Sequence, residues 1–345
     1  MNKQLRVGFF SLLFLLGFSV SAIAQGLSGG QTPEAVSLRS VQQEAAAFSR
    51  AFARSLPFNS SFGLNWSDSH IGEAFPGTPP HFGAGGVIGF TTIKTSVIND
   101  MIGSLGHDGA IPFNINRLPL PAYTAEGRLG GFFLPFDIGV KLGYLPLSDL
   151  SSSNFSLDHL LVGGDIRYAV LDRAQLPKVS VGIGLNYMKG GFGIRAAGQP
   201  TYEFRDENND PQTIRFTTPM ININWQTIAL DFKAQVSHSF SIITPYFGLG
   251  ASYGWSSTGY SVRGNITGFN NDTMELINAY LAGAGLNEIE VNSTGISSTI
   301  RSNAFSLRAF GGAAFNLSVF KLDFTALYNF RDRNFGMSLG FRFQV

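Results

Sequence analysis

The chain has 345 residues, a formal net charge of +1 and no cysteine. Without cysteine there are no disulfides, no thiolate metal sites, no cysteine nucleophile and no lipid-modified N-terminal cysteine, and the near-neutral charge gives no basis for a nucleic-acid or polybasic membrane partner. Charged residues make up only 14% while Gly (41) and Phe (32) are abundant, a balance that suits a barrel with one lipid face and a crowded lumen.

Lys3 and Arg6 precede a mostly apolar run from Val7 to Val20, and Ala22-Ile23-Ala24 supplies a small-x-small cleavage site. This is the pattern of a secretory signal peptide, residues 1–24, with the mature chain starting at Gln25. Beyond it no apolar run reaches the about 20 residues of a membrane helix. Thr32, Pro33 and Glu34 form a helix start, and Leu38, Val41, Ala45, Phe48 and Phe52 follow helical spacing. An amphipathic helix is expected over 32–55, inside an N-terminal plug or periplasmic segment (25–57) that occludes the barrel (58–345) from the periplasmic side.

Alternating segments then recur. The clearest is Val179 to Tyr187, where Val179, Val181, Ile183, Leu185 and Tyr187 alternate with Ser180, Gly182, Gly184 and Asn186. Similar rows start at Phe136, Leu160, Ile243, Phe305 and Phe320, and further strands are expected near Ser60–Asp68, His81–Ile93 and Ala122–Phe133. The last eleven residues, from Phe335, place Phe335, Met337, Leu339, Phe341, Phe343 and Val345 on one side. An end this apolar makes sense as the closing strand of a barrel with lipid outside and a polar interior. One alternation breaks: Ile221, Ile223 and Trp225 are odd, whereas Ile228, Leu230, Phe232, Ala234 and Val236 are even. A bulge there gives about eleven strands and a turn about twelve. Because such barrels usually have an even number, the expected fold is an all-β, transmembrane antiparallel β-barrel of about 12–14 strands. It carries an N-terminal helical plug and helical insertions in extracellular loops.

Short connections at Leu171–Pro177, Ser237–Ile242 and Asn316–Ser318 belong with the C-terminus on the periplasmic side, and the long ones near Thr95–Leu118, Pro146–Asp158, Gly191–Thr218 and Ser256–Ser302 belong outside. Within those loops Ile98, Met101, Ile102 and Leu105, and Met274, Ile277, Tyr280 and Leu281, follow helical stripes, the second behind the capping box Asp272-Thr273-Met274-Glu275. These eight are candidate ligand-binding residues; apolar surface outside a membrane is buried on itself or against a ligand. Asp165, Arg167, Asn186, Asn222, Asn224, Arg308, Lys321, Asp323 and Arg342 should face the lumen, since charges in a barrel wall avoid lipid. They either line a polar path or form an ion-pair network that plugs it.

No catalytic constellation stands out. The histidines are scattered without metal-ligand spacing, and Gly-x-Ser-x-Gly around Ser28, Ser252 and Ser338 lacks the strand-to-helix turn of a nucleophile elbow. The oxygen-rich run Asp206 to Asp210 lacks ordered calcium-ligand spacing. No enzyme activity, metal or cofactor is expected.

Asn65-Trp66-Ser67-Asp68-Ser69-His70-Ile71-Gly72, Pro80-His81-Phe82-Gly83-Ala84-Gly85 and Thr244-Pro245-Tyr246-Phe247-Gly248-Leu249-Gly250 resemble the FadL-type outer-membrane transporters, in the divergent form of spirochaetes such as treponemes. That resemblance implies a fourteen-strand barrel, an N-terminal plug, and uptake of long-chain fatty acids or similar molecules, captured outside and released laterally through the wall. The mature N-terminus departs from the family in lacking an Asn-Pro-Ala start. The expected function is passive uptake of small hydrophobic or amphipathic molecules by a monomer in the bacterial outer membrane. The alternatives are a non-transporting surface barrel acting as an adhesin, or a narrow general porin. Expected partners are outer-membrane lipid, a hydrophobic small molecule, and the outer-membrane assembly machinery, met through the C-terminal strand.

Overall fold

The computed structural model describes residues 36–71, 81–94, 117–131, 135–146, 155–172, 176–195, 201–205, 211–267, 289–292 and 295–345. The signal peptide and the eight loop-helix residues, Ile98, Met101, Ile102, Leu105, Met274, Ile277, Tyr280 and Leu281, lie outside them, as do Thr32 to Glu34.

A helix, α1 (Leu38–Ser60), is followed by an irregular segment to Ile71 and then by ten long strands. These are β1 (His81–Lys94), β2 (Arg117–Gly130), β3 (Phe136–Pro146), β4 (Phe155–Leu171), β5 (Lys178–Arg195), β6 (Pro211–Ser237), β7 (Ile243–Thr267), β8 (Gly295–Leu317), β9 (Phe320–Asn329) and β10 (Phe335–Gln344). Each pairs antiparallel with the next, and β10 pairs back onto β1 from Gly336↔Thr91 to Gln344↔Gly83. The ring is closed. Phe82 and Val345 exchange backbone hydrogen bonds at 2.9 Å, so the C-terminal strand leaves no free edge. Two short strands, Thr201–Arg205 and Ile289–Asn292, pair with β6 and β8, and a third, Val36–Ser37, pairs in parallel with Thr201–Arg205.

Within a belt around the barrel the outward face of the strands is apolar. Ile138, Val140, Leu142 and Tyr144 on β3, Val181, Ile183 and Leu185 on β5, and Met337, Leu339 and Phe341 on β10 are all exposed. A belt of this kind around a whole barrel is stable only in hydrocarbon, so the strands span a membrane. Tyr253 and Trp255 (ring centroids 5.1 Å apart) and Tyr328 and Phe330 (5.4 Å) sit where an interfacial girdle belongs.

The strand number corrects the expected 12–14. Ser60–Asp68 is not a strand: Ser60 ends α1 and the rest lies inside the barrel. Residues Ile221 to Val236 form one continuous strand, paired without interruption from Arg195↔Met220 to Lys178↔Ser237. There is neither a turn nor a bulge at the change of alternation, and the register shift of β6 lies earlier, between Thr217 and Met220. Geometry stays regular while chemistry inverts. Below the change Ile228 and Phe232 face lipid; above it Asn224 and Gln226 face water, and Ile223 and Trp225 turn inward. The strand leaves the membrane at that point.

The β2–β3, β4–β5, β6–β7 and β8–β9 turns are all short and lie at one end, where Asn316 N donates to Ile242 O and Gln344 N to Val319 O, both at 2.8 Å; at the opposite end the β9–β10 turn, Phe330–Asn334, is short as well. The α1 helix lies at that opposite end, inside the barrel: Phe52 packs on Trp225 (5.2 Å) and Asn334 Nδ2 donates to Ser55 Oγ at 3.1 Å. With the four short turns on the periplasmic side, the helix sits at the outer end, not the periplasmic one. Its last turns bury Phe52, Ala53, Leu56 and Phe58, and Phe58 forms an apolar cluster with Tyr246, Phe310 and Leu327.

Candidate functional site

The lumen is occupied by the protein's own chain. After Ser60, Gly63 (φ 83°) and Leu64 (φ 56°) take left-handed conformations that end the helix and redirect the backbone. At Gly63 a side chain would also collide with Glu126, Thr124 and Lys141, so a residue without Cβ fits both demands. The segment then runs to Ile71 at the short-turn end.

Almost every strand contributes a bond to it. Glu126 on β2 accepts from Leu64 N (2.8 Å) and Trp66 Nε1 (2.7 Å). Lys141 on β3 donates to Ser60 O and Phe62 O, and Lys233 and Gln235 on β6 donate to Leu64 O and Trp66 O. Asp68 accepts from Lys321 Nζ (2.8 Å) and Arg342 Nη2 (2.7 Å), while Ser67 N donates to Asp323 (3.1 Å). Ile71 N donates to Asp137 at 2.8 Å. The segment lacks regular structure, so its polar backbone is satisfied by wall side chains instead of by a ladder.

Behind these contacts lies a fused ion network. Asp137 accepts from Arg128 (2.5 Å) and Arg167 (2.6 Å), and Arg128 also reaches Asp165 (2.7 Å), which pairs with Lys233. A second cluster joins Arg308 to Asp231 and Ser252. Buried charges are tolerable only when paired this fully. Among the described residues, cavities against the segment include ones of about 20 and 10 Å³, each on the scale of a single water. The lumen polar residues therefore form a plug, the second of the two possibilities the sequence left open.

Asp165, Arg167, Asn186, Arg308, Lys321, Asp323 and Arg342 lie on the inner face. Asn222 and Asn224 do not: Asn224 is exposed and Asn222 shares its outward parity, because both stand above the lipid belt where outward positions are polar. Sequence reasoning missed Glu126, Arg128, Asp137, Lys141, Asp231 and Lys233. The first two alternate with Ala125, Gly127 and Leu129 on β2, a signal that was present but short.

Among the described residues the shortest ladder of the wall joins β2 and β3. On the side of β1, β2 is paired along its whole length, from His81↔Gly130 to Lys94↔Arg117. On the side of β3 the pairing runs only from Gly130↔Asp137 to Ala125↔Leu142. Among the described residues no ladder pair joins Arg117–Thr124 of β2 to Gly143–Pro146 of β3, although the backbones still touch where Gly143 packs against Tyr123 O and Thr124. Pro119 and Pro121 supply the reason: two prolines two residues apart deprive one strand edge of two donors. The inward residues there, Leu120 and Ala122, are apolar, whereas Glu126 and Arg128 below them are charged.

No protein-family model and no curated protein sequence matches the chain. Among solved structures it is similar to the outer membrane protease OmpT from Escherichia coli (TM-score 0.40, 10% identity, covering 81% of this chain and 100% of that one). It is similar also to the translocator domain of the autotransporter NalP from Neisseria meningitidis (0.39, 10%, 87% and 99%) and to a Pseudomonas aeruginosa FadL homologue (0.26, 8%, 91% and 99%). Likeness at this level carries no argument about function, and the barrel stands on its own register and apolar belt. The expectation that the chain is not an enzyme is corrected: an outer-membrane protease stands among the similar structures, and a closed barrel is compatible with catalysis as well as with passage.

Proposed function

We propose that this barrel admits small hydrophobic or amphipathic molecules, such as long-chain fatty acids, across the outer membrane without an energy source. The route runs through the wall, not down the lumen. The observation that carries this is the end of the β2–β3 ladder at Ala125↔Leu142, beyond which the two strands touch without pairing, a seam backed by the apolar Leu120 and Ala122. A molecule that enters at the outer end meets charge if it continues down the lumen and lipid if it turns sideways. Hydrophobic cargo takes the second course. The full set of plug bonds weighs against a general porin.

The chain has no native cysteine, so a single engineered pair tests the route. Extending the β2–β3 register places Tyr123 opposite Tyr144. A Tyr123→Cys, Tyr144→Cys disulfide should abolish uptake of a fluorescent fatty acid into vesicles, and reductant should restore it. Undiminished uptake by the locked barrel would remove the seam from the pathway.

A second reading is favoured by the filled lumen together with the reach of β6, β7 and β8, which span 27, 25 and 23 residues against 10 in β9 and β10. On it the barrel is a sealed pedestal for a surface-exposed adhesin. That protein would move no fatty acid with its seam free or locked.

A further inference from the structure

We propose that the rim formed by the start of β10, the end of β1 and the start of β2 binds the phosphate of a lipid headgroup through cations on β1, β2 and the β9–β10 turn. Lys94 and Arg117 are direct cross-strand partners. Like charges placed opposite each other repel unless an anion joins them. The β10–β1 ladder begins at Gly336↔Thr91, and Thr92 Oγ1 bonds both Phe335 N and Phe335 O at 2.9 Å. Arg333 stands just beyond the end of that ladder, in the β9–β10 turn (φ 55°), so this rim carries a row of three cations, Arg333, Lys94 and Arg117.

Among the described residues none of the three has a carboxylate partner. Arg117 Nη1 donates to Asn334 Oδ1 (3.1 Å), a neutral acceptor that orients the guanidinium without neutralising it. Asp332, next to Arg333 in the chain, accepts from Asn329 Nδ2 at 3.3 Å. Lys94 and Arg333 are exposed. Cations inside the barrel behave differently, because Arg128, Arg167, Arg308 and Arg342 are each matched to an aspartate. At the opposite rim Lys178 is paired with Asp172 at 2.9 Å. The near-neutral net charge of the chain conceals this asymmetry.

Height in the membrane selects the occupant. The Phe90 and Phe335 rings, 6.1 Å apart, lie directly below the row and belong to the apolar belt. The row therefore stands at headgroup level, where a phosphate is held in place by its own acyl chains against the belt. Guanidinium groups bind phosphate oxygens in pairs, and the ammonium adds a point charge.

Native mass spectrometry of the whole barrel in uncharged detergent tests this. The probes are phosphatidic acid, diacylglycerol (the same tails without phosphate) and inorganic phosphate. The parent should retain phosphatidic acid and not diacylglycerol. Lys94→Gln with Arg333→Gln should weaken the adduct on the order of tenfold or more, while Lys178→Gln leaves it unchanged. Both altered positions are exposed, and an unchanged unfolding midpoint confirms that the double variant folds. Equal phosphatidic acid binding by the double variant, or equal retention of diacylglycerol, overturns the proposal. Complete displacement by inorganic phosphate at matched concentration also overturns it, since the ligand would then be a free anion.

Discussion

Trp66 Nε1 donates to Glu126 Oε2 at 2.7 Å, and the guanidinium of Arg342 lies 4.5 Å from the centre of the same indole. One plug side chain thus ties β2 to β10 through the middle of the lumen, with Arg128 at 5.6 Å near the ring as well. Trp66 contributes apolar area, a hydrogen bond to a buried carboxylate and cation–π attraction at once. Trp66→Ala is expected to destabilise the barrel by about 3–5 kcal/mol, read from its unfolding midpoint in detergent. An unchanged midpoint would mean that the plug is not part of the cooperative fold.

The two aspartates at the short-turn end separate buried from exposed electrostatics. Asp137 is fully buried and accepts from both Arg128 and Arg167. Asp137→Asn removes the charge both guanidiniums need, and the expected loss is about 3–5 kcal/mol. Asp172 pairs with Lys178, whose side chain is 39% exposed. Breaking that pair by Lys178→Gln should cost about 1 kcal/mol or less. Equal effects of the two changes would show that the network does not hold the lumen closed.

Strand β6 offers a within-strand test of where the membrane ends. Asn224 and Phe232 share the outward face. Phe232→Arg puts a charge into hydrocarbon and should cost about 2–4 kcal/mol in lipid vesicles. Asn224→Arg, a few residues higher, should stay within about 0.5 kcal/mol of the parent. Reversible unfolding in urea with vesicles present measures both; a large cost at Asn224 would place lipid where water is argued to be.

That strand also shows how far the sequence was legible. Alternation found the ten barrel strands because lipid imposes one chemistry on the outward positions within the membrane. It misread β6, where the outward side stays outward while its surroundings change from lipid to water; the polarity switch at Trp225 and Ile228 looked like a bulge or a turn. The same cause put Asn222 and Asn224 in the lumen. The plug was opaque for another reason. Residues Ser61 to Ile71 have no period, because their bonds go to side chains on β2, β3, β6, β9 and β10, scattered through the chain. Asn65 to Gly72 stands out as a motif, but the strand expected near Ser60–Asp68 overlaps it, and nothing local marks the segment as the filling of the lumen. The prolines of β2 were visible from the start, but their meaning depended on knowing that β3 lay beside them.

The same prolines carry the last prediction. Pro119→Thr with Pro121→Thr returns two backbone N–H groups to the β2 edge facing β3 and suits the strand by propensity. The ladder that stops at Ala125↔Leu142 can then extend toward Tyr123 and Tyr144. Two added hydrogen bonds at about 0.5–1.5 kcal/mol each reduce the open fraction of the seam roughly tenfold. Fatty-acid uptake should fall by a similar factor while the unfolding midpoint rises. The two readouts must move in opposite directions: a more stable barrel with undiminished uptake would show that cargo does not leave between β2 and β3.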